Sequence, residues 1–208
     1  MKLPTIEQTH AYLAEAAKLN PGRWVDHSYC AGEAARRIAR RCPDLDCEAA
    51  YILGCLHDIG RRAGMYQMRH LIDGYEFLIQ EGYPDAADIC LTHSFVYKNL
   101  EAYLGERDLP AEQIDFLRHY LEYAGYTPYD RLIQLCDSLA MPGGFCTLEK
   151  RMVDVTQRYG FNQYTLQKWQ ALYALKAEID HTAGMSIYHL LIDPPAPGMA
   201  GIVENMLA

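Results

Sequence analysis

His57 and Asp58 stand side by side at the end of an apolar run, Ala50-Tyr51-Ile52-Leu53-Gly54-Cys55-Leu56. An imidazole and a carboxylate placed there each need a partner, because an unpaired polar or charged group is costly to bury. A metal ion would satisfy both at once. The other solution is a histidine that caps the carboxyl end of a helix while the aspartate pairs with Arg61 or Arg62. Three more histidines stand near expected helix ends: His27, His70 and His93. Asp137 lies inside a further apolar run, Leu132 to Leu139, where it must face a cation or a cluster of donors.

Helices are the elements that would hold these residues, since almost every segment reads as helix. The run from Thr5 to Leu19 opens on a capping residue and stops at Asn20-Pro21-Gly22. Trp24 to Cys42 carries Val25, Ala31, Ala34, Ala35, Ile38 and Ala39 at helical spacing, and Pro43 ends it. Asp46 caps a predicted helix through about Ile59, with Ala49, Ile52, Leu53 and Leu56 facing inward. A loop from Gly60 to Met68 leads to helices over about His70–Glu81 and Asp85–Thr92, and Pro110-Ala111-Glu112 starts one that ends before Gly125. The next, about Tyr129–Met141, buries Leu132, Ile133, Leu135, Cys136 and Leu139 and breaks at Pro142-Gly143-Gly144. Two more follow, near Leu148–Tyr159 and Gln163–His181. No alternating stretch is long enough for a sheet, so the expected fold class is all-α: a single-domain helical bundle spanning 1–208.

Composition narrows the partners. Half of the 208 residues are apolar and 22% are charged, which suits a soluble globular protein. The net charge of -8 argues against a nucleic-acid surface, because such surfaces cluster Lys and Arg against phosphates. A small anionic substrate stays open, since the local field of a cleft matters more than total charge. No run approaches a membrane span and the start lacks a signal-peptide core, so a cytoplasmic location without membrane attachment is expected. Seven cysteines without a Cys-x-x-Cys pair indicate neither a disulfide framework nor a zinc ribbon. Cys30, Cys55, Cys90 and Cys136 read as small buried residues of a reduced protein.

The ordered set His27, His57-Asp58 and Asp137 resembles the HD superfamily of metal-dependent phosphohydrolases, whose pattern is a His, a His-Asp doublet and a distant Asp. Gly54-Cys55-Leu56-His57-Asp58-Ile59-Gly60 matches the doublet's context closely, and the resemblance covers about residues 24 to 141, leaving 142–208 as a C-terminal helical extension. His70 and His93 stand where members with two extra histidines hold a second metal. The resemblance implies that His27, His57, Asp58 and Asp137 bind one ion and that Asp58, His70 and His93 bind the other, with Asp58 as the bridge. Imidazole and carboxylate ligands suit iron, manganese or a similar divalent ion, and the absence of thiolates argues against structural zinc. Two such ions roughly 3.5 to 4 Å apart lower the pKa of a shared water and clamp a phosphoryl oxygen.

Three functions follow from different classes. The leading expectation is a hydrolase acting on a phosphomonoester or nucleotide-type phosphoanhydride, with Asp58 and Arg61 in catalysis. The same scaffold also carries di-iron oxygenases, and a noncatalytic nucleotide-binding module is the third reading. For the substrate's phosphate the candidate cations are Arg61, Arg62, Arg69 and Lys98, with Arg61 first because it follows the doublet. Specificity is expected from the loops Gly60–Met68 and Phe95–Gly105. Tyr120, Tyr123, Tyr126 and Tyr129 read as packing residues, and His10, His119, His181 and His189 stand outside the pattern. The proline-rich tail from Pro194 is expected to pack loosely or contact a partner, and Ile202-Val203-Glu204-Asn205-Met206-Leu207 offers an apolar surface for a homo-oligomer.

Overall fold

The computed structural model describes residues 1–192, so the expectations for the tail beyond Pro194 lie outside the described residues. Within them the fold is all-α. In chain order the helices are α1 (Ile6–Leu19), α2 (Trp24–Ala39), α3 (Cys47–Leu56), α4 (Arg69–Gln80), α5 (Pro84–Thr92), α6 (Ala111–Tyr123), α7 (Pro128–Leu139), α8 (Leu148–Tyr159), α9 (Thr165–Ala183) and α10 (Tyr188–Leu191). Single 3-10 turns cover Ile59–Ala63 and Leu100–Ala102. A hairpin of two-residue strands, β1 (Ala140–Met141) and β2 (Gly144–Phe145), pairs Ala140 with Phe145 and Met141 with Gly144. The Pro142-Gly143 break thus ends α7 and also turns the chain back on itself.

Helix starts follow local hydrogen-bond chemistry. Thr5 and Gln8 form a reciprocal capping box at α1, Thr127 and Asp130 form another at α7, and the Asp46 carboxylate accepts from Ala49 N at 2.7 Å at α3. Pro84 and Pro128 occupy first-turn positions, where a missing N–H is harmless. Three helices end earlier than the apolar periodicity predicts. α2 stops at Ala39, α3 stops at Leu56 instead of running to Ile59, and α7 stops at Leu139, where Ala140–Met141 becomes β1. Asp58 takes φ -105 and ψ 13 and the chain tightens into the 3-10 turn. That kink separates the doublet from helical geometry, in which neighbours point about 100° apart.

From Ala49 to Leu56 the helix α3 is buried on every side, not only along the predicted stripe. It meets α2 backbone to backbone. A Cβ on Gly32 would lie 2.5 Å from Cys55 Sγ and 2.9 Å from Tyr51 O, and one on Gly54 would lie 2.7 Å from Gly32 Cα. The 3-10 turn meets α4 the same way, since a Cβ on Gly60 would fall 1.9 Å from His70 O and 2.4 Å from Gly74 N. These crossings draw the starts and ends of α2, α3 and α4 to one place. The helix α7 packs across α2 and α3, with Leu132, Ile133, Leu135, Cys136 and Leu139 fully buried. Met68, Leu71, Leu91, Phe95, Leu117 and Leu121 form a second apolar cluster that fastens α4, α5 and α6 together.

All seven cysteines are free. Cys55, Cys90 and Cys136 are buried as expected, Cys42 and Cys146 are buried as well, and Cys30 is only half-buried. Tyr126 donates to Phe95 O at 2.6 Å, Tyr129 accepts from Asp46 N at 2.8 Å, and Tyr123 is exposed. No helix among the described residues is long and apolar enough to cross a membrane.

Candidate metal centre

The six residues of the expected ligand set meet at the junction of these helix ends. His27 comes from the first turn of α2, His57 and Asp58 from the end of α3, His70 from the first turn of α4, His93 from the end of α5 and Asp137 from the last turn of α7. His57 is fully buried, and His27, Asp58, His70 and His93 are each 5% exposed or less. His27, His57 and Asp58 offer one ligand atom each, all within 4.8 Å of one another, and so do Asp58, His70 and His93. Asp137 Oδ1 completes the first group, 3.0 Å from His27 Nε2 and 3.8 Å from His57 Nε2. Asp58 stands between the groups, with Oδ1 3.1 Å from His70 Nε2 and 3.6 Å from His93 Nε2, and Oδ2 3.9 Å from His57 Nε2.

Each imidazole is oriented by its other nitrogen. Nδ1 of His27 faces Ala140 O at 3.2 Å, that of His57 faces Gly54 O at 2.6 Å, that of His93 faces Ile89 O at 3.2 Å, and that of His70 faces Gln67 O. A carbonyl only accepts, so in all four rings Nδ1 carries the proton and Nε2 presents a lone pair. The four Nε2 atoms point at one another and at carboxylates: His27 to His57 is 3.2 Å and His70 to His93 is 3.5 Å. The 3.1 Å contact of His70 Nε2 with Asp58 Oδ1 is therefore acceptor against acceptor. Asp58 Oδ1 is buried without a hydrogen-bond partner. A cation among these lone pairs would satisfy them, and the imidazole and carboxylate donor set fits a divalent metal ion.

Electrostatics keep the ligands in their binding forms. Burial lowers His57, and burial followed by the neighbouring His57 pushes His93 down to about 3, so both stay neutral. Burial alone would raise Asp58, but the neighbouring Arg61 guanidinium holds it well below the usual carboxylate range. Asp137 is held low in the same way, with burial opposed by the Arg151 guanidinium. One step further out, Thr92 Oγ1 donates to Asp130 at 2.6 Å and Gln134 Nε2 donates to Thr92 O at 3.1 Å. These bonds tie the His93 end of α5 to α7, which carries Asp137.

Asp58 does pair with an arginine, as the non-metal reading expects: Arg61 Nε lies 2.6 Å from Oδ2. That pairing leaves Oδ1 and four Nε2 lone pairs unanswered, so the arginine alone does not satisfy the cluster. Of the four candidate phosphate-binding cations only Arg61 lines the cleft over the six ligands. Arg62 pairs with Glu15 at 2.6 Å and stacks on Phe77, Arg69 pairs with Asp73 and stacks on Tyr66, and Lys98 donates to Ala124 O. Their own neighbours hold these three away from the cleft.

The cleft has a volume of about 560 Å³. Of the two expected specificity loops, Gly60–Met68 contributes only Arg61, and Phe95–Gly105 contributes Tyr103, Leu104 and Gly105. The hairpin, α8 and α9 supply most of the remaining wall, including Arg151, Arg158 and Lys168. None of these cations was singled out from sequence. The usable signal was periodicity: Lys168 falls on the same face of α9 as the buried Thr165, Leu172 and Leu175, and Arg151 is flanked by the buried Leu148 and Met152 of α8.

No curated protein and no solved structure matches this sequence. Residues 24–141, more than half of the chain, match the protein family described as HD domain, from the first residue of α2 to the last of β1. With that match, and with the His, His-Asp and Asp positions gathered at one point, the chain belongs to the HD-domain family.

Proposed function

We propose that this protein is a metal-dependent phosphohydrolase that cleaves a phosphomonoester or a nucleotide-type phosphoanhydride. The observation that carries the reading is the set of inward lone pairs, four Nε2 atoms and an unpartnered Asp58 Oδ1, under a cleft walled by cations. His27, His57, Asp58 and Asp137 would hold one ion and Asp58, His70 and His93 the other. Such a pair of ions, when bound, lowers the pKa of a water and neutralises charge on phosphoryl oxygens. Everything else falls to the chain. The Nδ1–carbonyl bonds fix each ring so that no ligand must reorient, and the buried floor shields Asp58 from bulk water. Arg61 holds Asp58 Oδ2 through Nε, and its guanidinium at the cleft edge has further N–H groups for a phosphoryl oxygen.

The test is elemental analysis of the purified protein together with phosphate release from a panel of phosphomonoesters and nucleotides under anaerobic conditions. Asp58→Ala removes the only carboxylate shared by both groups, so bound metal and turnover should both fall to the level of a blank. Retained metal with unchanged turnover in that variant would overturn the assignment. Substrate-dependent dioxygen uptake by the iron-loaded wild type, without phosphate release, would replace it with the oxygenase chemistry of the same scaffold.

A further inference from the structure

Three cations reach the cleft from positions that are not fully exposed: Arg61, Arg151 and Lys168. Two of them are already answered. Arg61 binds Asp58 at 2.6 Å, and Arg151 contacts Asp137 at 3.4 Å and Asp154 at 3.7 Å. Arg158 at the cleft mouth is likewise taken by Asp154 at 2.7 Å. Lys168 differs, because among the described residues its ammonium has neither an ion-pair nor a hydrogen-bond partner. It sits in the first turn of α9, half-buried, on the wall that α9 and α8 raise over the ligands.

A half-buried ammonium without a counter-ion is unfavourable, and its surroundings sharpen the imbalance. The groups that act on it are Asp137, which favours its charge, and Arg151, which opposes it, while burial pushes its pKa down from the ordinary lysine value. Asp137 is also an expected metal ligand. With its carboxylate committed to an ion, Lys168 and Arg151 face the cleft as two like charges with less negative charge to offset them. An anion in the cleft restores the balance.

We propose that Lys168 is a substrate-binding residue that receives an anionic oxygen, with Arg151 beside it, and so sets affinity for a phosphoryl-bearing substrate from outside the family-matched segment. The inference rests on the hydrolase reading for the identity of the anion, and on the cleft alone for its existence. Both tryptophans of the chain, Trp24 and Trp169, line the same cleft, so binding has a readout that does not need turnover.

The experiment titrates inorganic phosphate into the manganese-loaded full chain and follows tryptophan fluorescence, in the wild type, Lys168→Gln and Lys168→Arg. A charge-assisted contact of about 1.5–3 kcal/mol predicts that Lys168→Gln weakens phosphate binding by roughly 10- to 100-fold. Manganese content should be unchanged and Lys168→Arg should recover most of the affinity. An equal phosphate affinity in Lys168→Gln and wild type, at equal manganese content, overturns the inference. So does an equal loss in Lys168→Gln and Lys168→Arg, which would show that shape and not charge is at work. The hydrolase reading fails separately: a wild type that binds phosphate through Lys168 yet releases none from any ester supports the anion site and overturns only the reaction.

Discussion

In Gly60→Ala the added methyl carbon would meet the His70 carbonyl oxygen at 1.9 Å and Gly74 N at 2.4 Å. Both obstacles are backbone atoms, so no side chain can swing aside, and contacts below 3.0 Å force a shift. Relief requires the 3-10 turn and α4 to separate by about 1 Å, whereas metal–ligand distances tolerate only about 0.2 Å. His70 rides on α4 while Asp58 stays beside His57 at the end of α3, so the Asp58–His70–His93 group opens while His27, His57, Asp58 and Asp137 stay in register. Overpacking of this kind costs about 3 kcal/mol, near the upper end of its usual range. For a chain of this length that lowers Tm by roughly 6–12 °C. The assay is a thermal melt of chelator-treated protein followed by metal counting after reloading. Wild type should hold one more ion per chain than the variant. Gly125→Ala is the control, because a Cβ there meets nothing within 4 Å. A Gly60→Ala protein with wild-type metal content and a Tm within about 2 °C of wild type would refute the argument that this backbone contact sets the second group.

Two further predictions concern charge. Arg61→Lys keeps one positive charge but cannot hold Asp58 Oδ2 and present a planar fork to the cleft together, so kcat/KM should fall by about 10- to 100-fold with metal content retained; turnover within twofold of wild type in a steady-state assay would remove Arg61 from the site. His93 is neutral in the fold down to about pH 3 against an ordinary value of 6.5, so between those values the unfolded chain binds the extra proton and stability is lost as pH falls. Urea midpoints of chelator-treated protein should therefore drop steadily from pH 7.5 to pH 4, and a midpoint that rises on acidification would contradict the burial of that ring.

Much of the site was legible because buried polar groups are conspicuous in an apolar background. Asp137 among Leu132, Ile133, Leu135, Cys136 and Leu139 could not be satisfied locally, and the doublet at the end of α3 raised the same demand. Helix starts were legible where Thr5 and Asp46 cap, since capping is decided within four residues. The residues that escaped are those decided by distant neighbours. Arg61, Arg62 and Arg69 look alike in sequence, and only Glu15, Asp73 and the stacked rings Phe77 and Tyr66 tell which two turn away. Gly60 reads as a loop residue until α4 is laid against it. The early end of α3 and the β1–β2 hairpin were missed because apolar periodicity carries no mark for a kink or for a two-residue pairing.

The tethers on the four imidazoles also order the site in time. His57, His70 and His93 lean on carbonyls only three or four residues behind them, at Gly54, Gln67 and Ile89, so forming the local turn prepares each ring. His27 leans on Ala140, 113 residues away. The Asp58, His70 and His93 group is thus complete within residues 54–93, while the other must wait until both ends of the family segment meet. Closing the longer span costs about 1 kcal/mol more in chain entropy than closing the shorter one. On chain entropy alone the shorter half is expected to close first during folding, and an ion caught there would act as a nucleus on which the rest of the bundle assembles.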